Sequence, residues 1–231
     1  MSMDMEYEKM LEAYALTRRF LKQQMDLGFD QAYLSEKPKS SASSPSGELE
    51  RFYESIRNCK ECHLHQYRNT LVFGTGSPQA KVMFVGEAPG REEDLQGKPF
   101  VGKAGQLLDK ILAAIDFRRD EVYIGNVLKC RPPENRDPLP EEVEKCEPYL
   151  LKQIEIIKPE IICALGRISA QVLLKTKSSL GQLRGRFHDY HGIKLLVTYH
   201  PAALLRYPQY KHQTWEDVQL LRKEYDGLFS S

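Results

Sequence analysis

No apolar run in the chain approaches the roughly 20 residues needed to cross a bilayer. The N-terminus carries Asp4, Glu6 and Glu8 where a secretory leader would have a basic region ahead of an apolar core. Neither membrane insertion nor export is expected, and the chain reads as cytoplasmic. A strong net charge is missing too: 33 Lys and Arg stand against 32 Asp and Glu, so the overall balance neither favours nor excludes a polyanionic partner. No internal repeat is visible. With 41% hydrophobic residues over 231 positions, the chain can bury one substantial core.

Charge is present locally. Between Lys175 and His212 lie Lys175, Lys177, Arg184, Arg186, Lys194, Arg206 and Lys211 against Asp189 alone, which suggests a surface for a polyanion. Met5 to Met25 has the apolar spacing of one amphipathic helix, and Ser35 to Glu48 is a Ser- and Pro-rich stretch with almost nothing to bury. The expected organisation is an N-terminal helical extension over 1–34, a flexible linker over 35–48 and a main domain over 49–231.

Within that domain Lys81–Val85, Glu121–Leu128, Glu160–Leu165 and Lys194–Tyr199 read as buried strands. Helical patterns at Gly105–Ile115, Glu141–Ile157 and Arg167–Leu174 separate them, and each connection is long enough for a right-handed crossover. A last helix, Thr214–Leu228, places Trp215, Val218, Leu221 and Tyr225 at core spacing. The expected fold class is α/β: a three-layer α/β/α sandwich on a parallel four-stranded sheet. Ligands collect at the carboxyl ends of such strands, where Glu87, Asn126, Cys130 and His200 fall. In GEAPG (86–90) a glycine and a proline force a turn after the first strand. Phe100, between that turn and the next helix, is either a hydrophobic plug or a stacking surface for a flat ligand.

A cytosolic chain rarely keeps disulfides, so Cys59, Cys62, Cys130 and Cys146 read as metal ligands. Their spacing lacks the second short pair of a zinc ribbon, and four thiolates suit an iron–sulfur cluster as well as zinc. Such a site would tie the Cys59 segment to the loop RPPENRDPLP between Cys130 and Cys146. Cys163, inside EIICAL, reads as a small buried hydrophobe.

GEAPG, GKPFVGKAGQLL, NVLKCRPPENRDP, the four cysteines and HPAALLR occur in that order. Together they resemble the family 4 uracil-DNA glycosylases, the iron–sulfur branch of the uracil-DNA glycosylase superfamily, over about Glu48 to Leu228. The resemblance implies strand order 2-1-3-4, a structural [4Fe-4S] cluster on Cys59, Cys62, Cys130 and Cys146, with zinc as the alternative, and hydrolytic removal of uracil from DNA to leave an abasic site. A related branch traps uracil-DNA through a His after the Asn motif; RPPENRDPLP contains none, so that chemistry is not expected.

The implied roles agree with what the residues can do. Asn126 offers an amide to uracil O4 and a carbonyl to N3–H, a pattern cytosine reverses. Phe100 stacks on the flipped base. His200 donates to O2 as negative charge develops there, and Glu87 orients the water. Gly86 and Ala88 contribute backbone, and Glu93 braces the pocket or excludes a methyl group. Leu204 and Leu205, flanked by Arg206, are placed as a wedge into DNA, with core packing the alternative for the two leucines. Lys103, Arg91, Lys98, Arg184 and Arg186 could meet phosphates, and Asn135 belongs to the pocket, the DNA or a turn. The partner is uracil-containing DNA, single- or double-stranded, and a monomer is expected. The competing reading is a non-catalytic DNA or nucleotide-binding protein that retains the fold and cluster.

Overall fold

The computed structural model describes residues 44–229. The expected N-terminal extension and the linker up to residue 43 lie outside the described residues. In chain order the elements are α1 (Pro45–Ile56), β1 (Thr75–Gly76), β2 (Val82–Gly86), α2 (Arg91–Gln96), α3 (Lys103–Ala114), β3 (Tyr123–Asn126), α4 (Pro140–Ile157), β4 (Ile161–Leu165), α5 (Arg167–Leu173), α6 (Leu180–Leu183), β5 (Phe187–Tyr190), β6 (Ile193–Thr198), α7 (Pro201–Arg206) and α8 (Lys211–Phe229). Helix α1 begins inside the stretch read as linker. Its Ser44-Pro45 start, which has loop composition, is a helix signal: Ser44 accepts from the Gly47 amide at 3.3 Å and proline needs no partner in the first turn.

The strands form one mixed sheet in the order β1-β3-β2-β4-β6-β5. β2 pairs parallel with β3 and β4, and β4 with β6, whereas β1 pairs antiparallel with β3 and β5 antiparallel with β6. The four-stranded, all-parallel sheet of order 2-1-3-4 expected from the sequence is therefore corrected to a six-stranded, partly antiparallel one. Both added strands sit at edges, where burial is one-sided and the hydrophobic pattern weak. β1 is two residues of Thr and Gly, and β5 is the half-buried FHDY. β5 returns into β6 through His191 and Gly192, both at positive φ, as a two-residue hairpin requires.

All five residues of β2 and of β4 are buried, since helices cover both faces. Successive side chains alternate between the two layers. Met83, Val85, Tyr123, Ile162, Ala164, Leu195 and Val197 pack with Leu150 and Ile154 of α4 and Ala170 and Leu173 of α5. Val82, Phe84, Ile124, Cys163 and Leu196 pack with Leu108 and Leu112 of α3 and Val218 and Leu221 of α8. Trp215, expected in this core, is instead 40% exposed on α8. Arg184, offered above to phosphate, is engaged: its guanidinium bonds buried Asp217 at 3.0 and 2.8 Å, and Asp217 also accepts from Thr198 Oγ1 at 2.7 Å.

The entry to α3 is the tightest joint near the carboxyl ends of the strands. A Cβ on Gly105 would lie 1.9 Å from the Phe100 carbonyl oxygen, a backbone atom that cannot swing away. Gly105→Ala is expected to lower the unfolding free energy by roughly 1–3 kcal/mol, measured by urea denaturation.

Candidate active site

The register of the central strands sets Gly86 of β2 beside Asn126 of β3, and His200 follows two residues after the end of β6. A cavity of about 550 Å³ opens over these ends, lined by Glu87, Ala88, Pro89, Gly90, Glu93, Phe100, Ala104, Asn126, His200 and Arg206, and by Pro132, Glu134, Asn135 and Arg136 of the proline-rich loop. Among the residues singled out from the sequence, those named here come together. Gly86 forms the buried strand end beneath, whereas Lys103 is exposed at the start of α3 and Leu205 is 49% exposed, both off the cavity wall.

Gly86 lets the cavity floor close. A Cβ there would stand 2.4 Å from Asn126 Oδ1 and 2.7 Å from the Phe100 ring. Asn126 is 2% exposed, and its Oδ1 is buried without a hydrogen-bond partner. Such an orphan costs about 1–3 kcal/mol until a donor reaches it.

Phe100 adopts φ 52, a left-handed conformation that bulky residues avoid. It is clamped on both sides. Glu93 Oε1 accepts from the amides of Val101 and Gly102, each at 2.9 Å, and Arg119 Nη2 donates to the Pro99 carbonyl at 2.6 Å. The Phe100 and His200 rings lie 5.4 Å apart at 32°. His200 Nδ1 accepts from the Ala202 amide at 3.1 Å. Burial, with Arg206 adding to it, pushes the imidazole down to about 4, so near neutrality the ring is uncharged and its hydrogen sits on Nε2. Glu87 moves the other way: burial first, and then the negative charge of Asp137, raise its carboxyl to about 7 against the opposing pull of Arg167. Arg167 and Asp137 are themselves paired at 2.8 Å.

The profile of the uracil DNA glycosylase superfamily matches residues 73–219. The chain is 45% identical to the type-4 uracil-DNA glycosylase of Archaeoglobus fulgidus over 78% of this chain and 89% of that protein. It is 46% identical to that of Pyrobaculum aerophilum over 75% and 92% of the two. The chain belongs to the type-4 uracil-DNA glycosylases. A type-5 uracil-DNA glycosylase of Pyrobaculum aerophilum is more distant, at 29% identity over 70% of this chain.

The cluster expected for this glycosylase family is not supported in this chain and is corrected. Among the described residues no three His, Cys, Asp or Glu side chains are disposed to hold a metal ion, whether as [4Fe-4S] or zinc. Cys59, Cys62, Cys130 and Cys146 border a cavity of only about 10 Å³, no more than the room for about one water. Protein groups already engage three of the sulfurs: Cys59 lies 3.1 Å from Tyr149 Oη, Cys130 accepts from Arg68 Nη1 at 3.1 Å, and Cys146 accepts from the Lys129 amide at 3.2 Å. Burial raises the thiols of Cys62, Cys130 and Cys146, the last to about 12. The proline-rich loop is held instead by Arg136, which bonds buried Glu142 at 2.5 and 2.9 Å, while Glu142 also accepts from the Leu139 amide at 2.7 Å.

Asn135, expected in the pocket, at the DNA or in a turn, lines this cavity, whereas Glu134 and Lys129 carried no expectation from the sequence. Glu134 and Asn135 sit at φ 53 and 54 on the cavity wall, and Asn135 Oδ1 accepts from Arg131 Nε at 2.7 Å. Fully buried Lys129 donates to the Asn126 carbonyl at 2.8 Å and to Gln153 Oε1 at 2.6 Å, which fixes the peptide of Asn126 from behind. A lone Lys inside the apolar run NVLKC was the available signal.

Because the Glu87 carboxyl is raised in the folded state, ionising it opposes folding. The stability it contributes is present below its unfolded value near 4.5 and is lost as pH rises through about 7. Glu87→Gln is therefore expected to stabilise the protein at pH 8 by roughly 1–2 kcal/mol, after allowance for partial solvation, and to change little at pH 4. Urea titrations at the two pH values measure the difference.

Proposed function

We propose that this uracil-DNA glycosylase receives a uracil nucleotide extruded from DNA and hydrolyses its N-glycosidic bond in the cavity over Gly86 and Asn126. The observation that carries the reading is the partnerless, buried Asn126 Oδ1 set against the Phe100 ring. In uracil the N3–H is a donor and O4 an acceptor, so the Asn126 carboxamide pairs with both. Cytosine presents the reverse pattern and would bury two mismatched groups. Phe100 stacks on the base, a contact of about 1–3 kcal/mol, and its clamped backbone keeps the ring in place before the base arrives.

Bond cleavage leaves negative charge on uracil, developing at O2, and positive charge on the sugar. With Nδ1 committed to the Ala202 amide, His200 has Nε2–H free to donate to O2 as a neutral acid that strengthens its bond as charge grows. Glu87, ionised above about pH 7, orients the attacking water and offsets the cationic character of the sugar. The proton released by the water passes to solvent or to Glu87. Arg206 on the rim, with Leu205 and Lys103 outside it, addresses the DNA rather than the base.

Incubating the protein with oligonucleotides that carry one uracil, single-stranded or opposite G or A, and then treating with alkali should cut at the uracil position. Intact strands throughout would sink the reading. Asn126→Ala is expected to lose at least about 100-fold in rate while folding normally.

The pH dependence follows from Glu87. Single-turnover rates should fall with one ionisation below about pH 7, and His200, which titrates near 4, should add no limb above it. Arg167→Ala removes the charge that lowers the Glu87 value, so the limb should move to higher pH. A pH–rate profile of wild type against Arg167→Ala checks the direction.

A further inference from the structure

We propose that Tyr207 is a preformed stacking platform for the DNA base next to the extruded nucleotide, an inference that rests on the glycosylase reading above. Arg206 lines the cavity, so the chain leaving the rim passes directly into Tyr207, which is 51% exposed beside the exposed Leu205. An exposed aromatic side chain usually rotates freely and loses that freedom on stacking. Tyr207 is held in advance. Its ring meets Tyr210 edge to face at 6.0 Å and 63°, and Tyr210 stacks on Tyr199 at 4.4 Å and 9°. The Arg184 guanidinium lies 6.0 Å over Tyr199 and is fixed by the two bonds to buried Asp217 described above. The backbone is tied as well: the Tyr207 amide donates to Ala203 O at 2.7 Å and the Tyr210 amide to Tyr207 O at 3.2 Å.

An aromatic ladder thus runs from an ion pair inside the fold to one exposed ring, the next residue in the chain after the cavity-lining Arg206. Its surroundings suit DNA: the segment Leu205–Lys211 carries Arg206 and Lys211 and no acidic residue. When a nucleotide leaves the stack, the base beside it loses a neighbour on one face. A fixed ring outside the base pocket can supply that face for any base, because every base has one. Arg206 and Lys211 would then meet the flanking phosphates.

The test compares wild type, Tyr207→Phe, Tyr207→Trp and Tyr207→Ala on oligonucleotides with uracil beside 2-aminopurine, whose fluorescence reports stacking. Wild type and the two aromatic variants should quench the reporter on binding and keep similar kcat/KM. Tyr207→Ala should fail to quench and lose about tenfold in kcat/KM, with unchanged thermal stability because the side chain is at the surface. Equal quenching and equal kcat/KM in all four proteins would overturn the proposal, as would a loss in Tyr207→Ala that tracks a lowered melting temperature. Wild-type quenching that Tyr207→Ala abolishes, on DNA whose uracil is never excised, would support the platform and overturn the glycosylase reading instead.

Discussion

The contact on which the site depends is the meeting of Asn126, Phe100 and Gly86 at the ends of two parallel strands. Three groups from three sequence segments share a space that one extra methyl group would fill. The parallel register puts residue 86 beside residue 126, and the missing side chain at 86 lets a carboxamide and an aromatic ring close over the strand end. The carboxamide is then buried with an unmade hydrogen bond, an expense tolerated where binding repays it.

Strain collects around the same point. Phe100, Glu134 and Asn135 all line the cavity at positive φ, where each costs about 1–3 kcal/mol. Each stretch is held by a charged side chain acting on backbone or on a buried partner: Glu93 and Arg119 about Phe100, Arg136 and Glu142 about the proline-rich loop. The loop that the cysteine spacing would have made part of a metal site is thereby a wall of the cavity over Gly86 and Asn126. Its neighbouring sulfurs border one small cavity, and three of them already make contacts with protein groups.

Two titratable groups of the cavity, His200 and Glu87, are tuned in opposite directions by one cause. Burial disfavours charge, so it lowers His200 and raises Glu87. The outcome is a neutral imidazole and a carboxyl that ionises near neutrality in one cavity, the pair that the proposed mechanism sets against an anionic leaving group and a cationic sugar. The charged pair Arg167 and Asp137 acts on Glu87 from outside the wall, with the two signs partly cancelling.

What the sequence determined by itself was whatever short-range pattern encodes. Apolar runs marked β2, β3, β4 and β6, and the ordered motifs carried the family and the residues of the cavity floor. What it left undetermined depends on distant partners. The edge strands β1 and β5 have little burial to pattern, so only pairing defines them. Arg184 reads as a free cation until Asp217, 33 residues away, takes it. The four cysteines have ligand-like spacing, yet spacing says nothing of how sulfurs are aimed or what already bonds them. Tertiary structure decided these points because hydrogen bonding, burial and charge pairing are set by what lies across the fold, and the chain order does not contain those distances.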